Sequence, residues 1–151
     1  MKRAWPIIVA LLVVAAANLF GQYGPIIHAA ADQDRISVGE SIRLLGVASG
    51  SLRPEIGADE ARSTLQKLRV RVPKGADDSP ITIGAFTYLL TQLFDVRPSV
   101  GYAIFPGPRS AFNELRARGL LPATARSGHP LSGADALLIL RKFLASRGSA
   151  G

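Results

Sequence analysis

The chain has 151 residues, 48% of them hydrophobic and 19% charged, with a formal net charge of +7 and no cysteine. That length suffices for one compact domain. The missing cysteines exclude disulfides and a lipid-modified cysteine behind a leader segment.

Lys2 and Arg3 give a positive start, and Pro6 to Ala17 is an unbroken apolar run that ends at Asn18. Twelve residues rise only about 18 Å as a helix, short of a bilayer core of about 30 Å, so residues 1–31 read as an export signal. Both Ala15-Ala16-Ala17 and Ala29-Ala30-Ala31 offer the small residues that cleavage needs. If Ala4 to Phe20 stays uncleaved, its reach of about 25 Å makes it a short membrane anchor instead. Residues 32–151 then form the domain, with 16 of the 18 basic residues and all 11 acids, a net charge of +5.

The first element of that domain opens with Ile36-Ser37-Val38-Gly39-Glu40. Ser37 is placed as a helix N-cap, since its hydroxyl can accept from an unpaired N–H of the first turn, and Glu40 three residues on makes a capping box. Gly46 and Gly50 follow Leu45 closely and shorten the expected helix. Asp59 to Leu68 reads as a second helix, with Ala61, Leu65 and Leu68 on its apolar face, acids at its start and Lys67 and Arg69 at its end. A short exit, Val70-Arg71-Val72-Pro73, ends this unit.

The pattern then starts again. Pro80-Ile81-Thr82-Ile83-Gly84-Ala85 leads into Phe86, Leu89, Leu90, Leu93 and Phe94, one stripe at helical spacing; with Ala85 in the acid's place, this cap is expected to be the weakest. Ser110 to Arg118 repeats the second helix, with Phe112 and Leu115 on the apolar face and Gly119 as C-cap glycine. Pro130-Leu131-Ser132-Gly133-Ala134-Asp135 opens a third copy, continued by Leu137, Leu140, Phe143 and Leu144. The starts lie 45 and 50 residues apart, which makes them units of an internal repeat. The expected fold is therefore all-α, a small helical bundle of three helix-loop-helix repeats after an N-terminal export signal. Whether the copies close on one another or await a second chain stays open.

This pattern resembles the S-layer homology (SLH) domain, in which a helix headed by a Leu-Thr-Arg-Glu-Glu-like start alternates with one ending in a Gly-Ile/Leu step. Pro80 to Phe94 and Pro130 to Leu144 carry the likeness most clearly, Ser110 to Pro122 matches the other helix, and the fainter copy at Ile36 extends it over Arg35 to Ala145. The resemblance implies one pseudo-threefold bundle that anchors proteins to peptidoglycan-linked polymer. The family's basic ligand residue follows the cap hydroxyl, a place held here by Val38, Ile83 and Gly133. The Asp-Gly-Thr-Phe-type turn is represented only by Ser127-Gly128-His129.

Catalytic chemistry finds little material. His28 falls in the leader tail, and His129 sits in a Gly-His-Pro turn without an acid or thiol pattern, so no nucleophilic triad, metal set or cofactor site is expected. Asp59-Glu60 heads a helix and Asp77-Asp78 lies in a turn-forming loop, where capping and turn formation account for them. Lys67, Arg69, Arg71, Lys74, Arg116, Arg118, Arg141, Lys142 and Arg147 cluster at helix ends, where they complement the dipole or attract an anionic polymer. No aromatic and basic platform points to nucleic acid.

One segment stands out, Tyr102-Ala103-Ile104-Phe105-Pro106-Gly107-Pro108-Arg109. Two prolines stiffen it, two aromatics supply apolar area, and Arg109 offers a planar donor. Tyr102, Phe105 and Arg109 are thus the candidate binding residues if exposed. Otherwise Tyr102 and Phe105 plug the open end of a small core. The expected function is a noncatalytic exported envelope module, in the periplasm or at the cell surface, that attaches to cell-wall polysaccharide, peptidoglycan or an envelope partner. The alternative is an assembly or regulatory subunit that uses the repeat only for protein contact. Membrane attachment is expected only if the N-terminal segment is retained.

Overall fold

A computed structural model describes residues 24–97 and 99–148, and the apolar run Pro6 to Ala17 with its basic flank and the Ala15-Ala16-Ala17 site lies outside them. The described residues are all-α: α1 (residues 24–31), α2 (Val38–Ala48), α3 (Ala58–Lys67), α4 (Ile83–Leu93), α5 (Val100–Ile104), α6 (Pro108–Ala117) and α7 (Gly133–Gly148). Among them the only extended pairing is two isolated antiparallel bridges, Ser37 with Pro80 and Thr82 with Pro130.

All three expected caps form. The hydroxyls of Ser37, Thr82 and Ser132 accept from the N–H of Glu40, Ala85 and Asp135 at 3.2, 3.2 and 3.1 Å. The first capping box is only half made, however. Gln33 Oε1 takes the Ser37 N–H at 3.2 Å, while Glu40 turns to Arg43 at 3.1 Å. The acid at this position therefore does not set the first cap apart from the one at Thr82.

The residues before the caps do something that no local pattern reveals. Ile36 N–H donates to the Leu131 carbonyl at 2.8 Å, Ile81 N–H to the Ile36 carbonyl at 3.0 Å, and Leu131 N–H to the Ile81 carbonyl at 3.0 Å. The three bonds form a closed ring, each residue donating to one neighbour and accepting from the other. Their side chains are fully buried, each worth about 1.5 to 3 kcal/mol relative to exposure. The three copies thus close on one another within a single chain.

Outside the ring, each unit's first helical turn is tied to the segment before the next cap. Val38 and Gly39 donate to the Ser79 and Asp77 carbonyls at 2.8 and 2.9 Å, and Ile83 and Gly84 donate to His129 and Ser127, both at 2.9 Å. Asp77-Asp78-Ser79 and Ser127-Gly128-His129 are therefore equivalent turns. Such close backbone approach leaves no room for a side chain: a Cβ on Gly39 would stand 3.0 Å from Asp77 Cβ, and one on Gly84 would overlap Ser127 Oγ. Arg62 fixes the first turn from α3, pairing with Asp77 and donating to the Pro73 and Gly75 carbonyls at 3.0 and 3.1 Å.

An outer helix packs on each central one, α3 on α2 and α6 on α4. Both outer helices end alike. Val70 N–H reaches the Leu65 carbonyl and Leu120 N–H the Leu115 carbonyl, both at 3.0 Å, around left-handed Arg69 (φ 61°) and Gly119 (φ 71°). Gly119 is the expected C-cap glycine, whereas Arg69 takes the same conformation against the preference of a side-chain-bearing residue. Leu68, expected on the apolar face, is 56% exposed because α3 stops at Lys67 and its C-cap turns outward.

Two further expectations change. Far from shortening α2, Gly46 lies inside a helix as long as α4, 11 residues each, and its missing Cβ makes room for Leu52. The packed unit also begins before Asp32, within the segment read as leader: Ile26 and Ala30 of α1 are buried in the same core, and Gly133 N–H donates to the Gln33 carbonyl at 2.9 Å. The end of α1 lies against Gly133, so close that a Cβ there would overlap the Ala30 carbonyl. The end of α1 is thus packed against the start of α7.

That contact yields a contrast between two helical glycines. Gly133→Ala should lower stability in urea unfolding by about 1 to 3 kcal/mol, since backbone must move to admit the methyl. Gly101→Ala, which meets nothing within 4 Å, should be neutral or stabilising by at most about 1 kcal/mol.

Candidate functional site

The segment expected as a stiff loop holds a short helix and the start of another. Tyr102 lies in α5, Phe105 is its C-cap residue, and Arg109 follows Pro108, the first residue of α6. Pro108 can open α6 because its missing N–H would have no partner there and its φ suits the first turn.

Tyr102 is half-buried and Phe105 is not, which divides the two aromatics. The Tyr102 hydroxyl lies 2.9 Å from Thr91 Oγ1, and its ring stands edge-on to Tyr88 at 6.5 Å. The buried Thr91 hydroxyl donates to the Tyr88 carbonyl at 2.8 Å, so its oxygen is left to accept from Tyr102. Burial pushes the Tyr102 hydroxyl pKa up. Phe105 is 75% exposed, as are Val100 at 77% and Ile104 at 61%, and Arg109 is exposed too. Phe105 therefore does not plug the core. α5 is an arm with an outward apolar face, held from beneath by Tyr102.

A second attachment runs through Glu114 of α6. The Ser99 hydroxyl and N–H donate to its carboxylate and hold it below the usual carboxylate range against desolvation, with help from Arg118. Arg118 pairs with Glu114 at 2.7 Å and also donates to the Arg97 carbonyl at 2.9 Å. The arm's base is thus stapled to α6 by one carboxylate and one guanidinium.

Three arginines, Arg97 and Arg118 of the second unit and Arg147 of the third, meet at a cleft of about 370 Å³ lined by Asp95, Arg97, Arg118, Phe143 and Arg147. The Arg147 guanidinium lies 5.9 Å from the ring centres of both Phe94 and Phe143, and it donates to the Phe94 carbonyl. Arg147 therefore satisfies the carbonyl of the α4 C-cap residue, the helix-end role available to such cations, whereas Arg118 binds a carbonyl of the loop that follows. Sequence separations of 21 and 53 residues hide this convergence.

The remaining candidates are placed plainly. His129 is an exposed turn residue whose carbonyl accepts from Ile83, and His28 is exposed on α1. Asp59 and Glu60 lie in the first turn of α3 without capping it, Gly57 being the N-cap residue. Among the described residues no group of three His, Asp or Glu is placed to hold a metal ion, and no helix is long and apolar enough to cross a membrane. No protein-family model matches this chain, and neither a curated protein nor a solved structure shows significant similarity to it.

Two measurements follow from the arm. Phe105→Ala should leave stability within about 0.5 kcal/mol of the parent, whereas Tyr102→Phe should lower it by about 0.5 to 1.5 kcal/mol by removing the bond to Thr91. Because the Glu114 pKa is depressed in the folded state, its contribution is present above the unfolded carboxylate pKa and is lost as pH falls through the folded value. Melting curves should therefore show Glu114→Gln less stable than the parent at neutral pH, with the gap closing as acid protonates the carboxylate.

Proposed function

We propose that this chain is a noncatalytic, exported cell-envelope module, similar to the S-layer homology domain, that attaches to anionic polymer linked to peptidoglycan. The observation that carries this reading is the closed ring of Ile36, Ile81 and Leu131, which makes three cap-headed repeats one body. Attachment runs through the α5 arm, where exposed Phe105 offers a stacking face to a sugar and exposed Arg109 a planar donor to a carboxylate or phosphate. The module works in the periplasm or at the cell surface and needs no cofactor.

A second reading, an assembly or regulatory subunit that contacts only protein, draws on the positions after the caps. Val38 and Gly133 are buried and Ile83 is half-buried, so the place of the related family's basic residue is turned to packing. The exposed apolar residues Val100, Ile104 and Phe105 suit a protein partner as well as a sugar ring.

Purified sacculi separate the two. Retention of the full chain should be strong on intact sacculi, fall when the anionic polymer is stripped, and weaken with salt as screening shortens the reach of exposed charges. Phe105→Ala with Arg109→Ala should lose retention without unfolding. Equal retention of this double variant excludes the arm as the site, and no retention of the parent on either preparation leaves the protein-contact reading.

A further inference from the structure

An apolar cleft of about 610 Å³ lies between α1, α2 and α7, lined by Ile26, Ile27, Leu44, Leu137, Leu140 and Leu144. Ile27, Leu138 and Leu144 remain exposed large hydrophobic residues. Arg141 lines the same cleft, and among the described residues it enters no ion pair.

We propose that this cleft rests on a lipid bilayer with anionic headgroups, the exposed Ile27 and Leu144 at its rim in the interfacial layer and Arg141 against the phosphates. The inference rests on residues 4–20 being retained as the anchor of an exported chain, and it does not depend on polymer binding. Two features point to lipid. Only Gly21, Gln22 and Tyr23 separate Phe20 from Gly24, a tether of at most about 14 Å, so a bilayer entered by the apolar segment lies within reach of Ile26 and Ile27. The burial of Ile26 and Ala30 keeps residues 24–31 within the fold, which opposes cleavage after Ala31. An apolar face with a cation at its edge is also the pattern of interfacial binding. A second copy is a poor occupant, because a twofold contact through this face would bring two copies of Arg141 together.

The chain has no cysteine, so a single Leu144→Cys variant of the full chain can carry one environment-sensitive fluorophore, with exposed Asn113 of α6, as Asn113→Cys, for the control. Both are reconstituted in vesicles of phosphatidylethanolamine and phosphatidylglycerol with brominated acyl chains, after circular dichroism shows parental helix content. Quenching should be several-fold stronger at position 144 than at 113. It should weaken in Arg141→Glu and in vesicles of phosphatidylcholine alone. Equal quenching at the two positions, or failure of the parent chain to float with the vesicles, overturns the proposal. So does a label at position 144 that is shielded in detergent without lipid and cross-links between chains, which would assign the cleft to a second copy. Sacculus retention is measured without lipid, so the two readings fail separately.

Discussion

Three backbone hydrogen bonds at the pseudo-threefold axis govern the rest of this molecule. Ile36, Ile81 and Leu131 are neither helical nor in a sheet ladder, yet their buried N–H groups all need partners. The ring supplies one partner for each and uses one carbonyl of each. It also sets where the central helices start, because each cap hydroxyl stands one residue further on. Shifting any unit by one residue would remove an aliphatic side chain from the core and break two of the three bonds.

The features legible in the sequence are those whose partners are close along the chain. Cap hydroxyls find an N–H three residues on, and the N–H groups of Gly119 and Leu120 reach back to the Arg116 and Leu115 carbonyls, so Ser37, Thr82, Ser132 and Gly119 could be placed by spacing alone. Gly46, Gly84 and Gly133 show the limit of that reasoning. By propensity each weakens a helix, but each is where another segment comes close, and nothing local identifies Leu52, Ser127 or Ala30 as the neighbour. Composition also hid α1, since an alanine-rich stretch behind an apolar run suits a cleavage site as well as a tightly packed helix.

The candidate site was legible in part for a related reason. Tyr102, Phe105 and Arg109 were selected for their chemistry, but their exposure depends on whether α5 folds inward, which is decided by Thr91, Ser99 and Glu114. The helix-end arginines were identified singly, and Arg147 does take a helix-end carbonyl, that of Phe94. Their meeting around Phe143 needs the bundle closed first, because it joins ends of different repeats.

A closed ring has a consequence that an open stack of repeats does not. Linear repeat arrays gain or lose units at their ends, because each unit touches only its neighbours. Here the first and third units bond directly, Ile36 to Leu131, so a fourth copy would find no free donor or acceptor at the axis, and a chain with two would leave both unmatched. Copy number is therefore a geometric constant of the fold. The same bonds do not record which chain supplies each unit, so a molecule that has lost its third repeat can accept one from a neighbour, and mixtures of complementary fragments should reassemble the axis in trans.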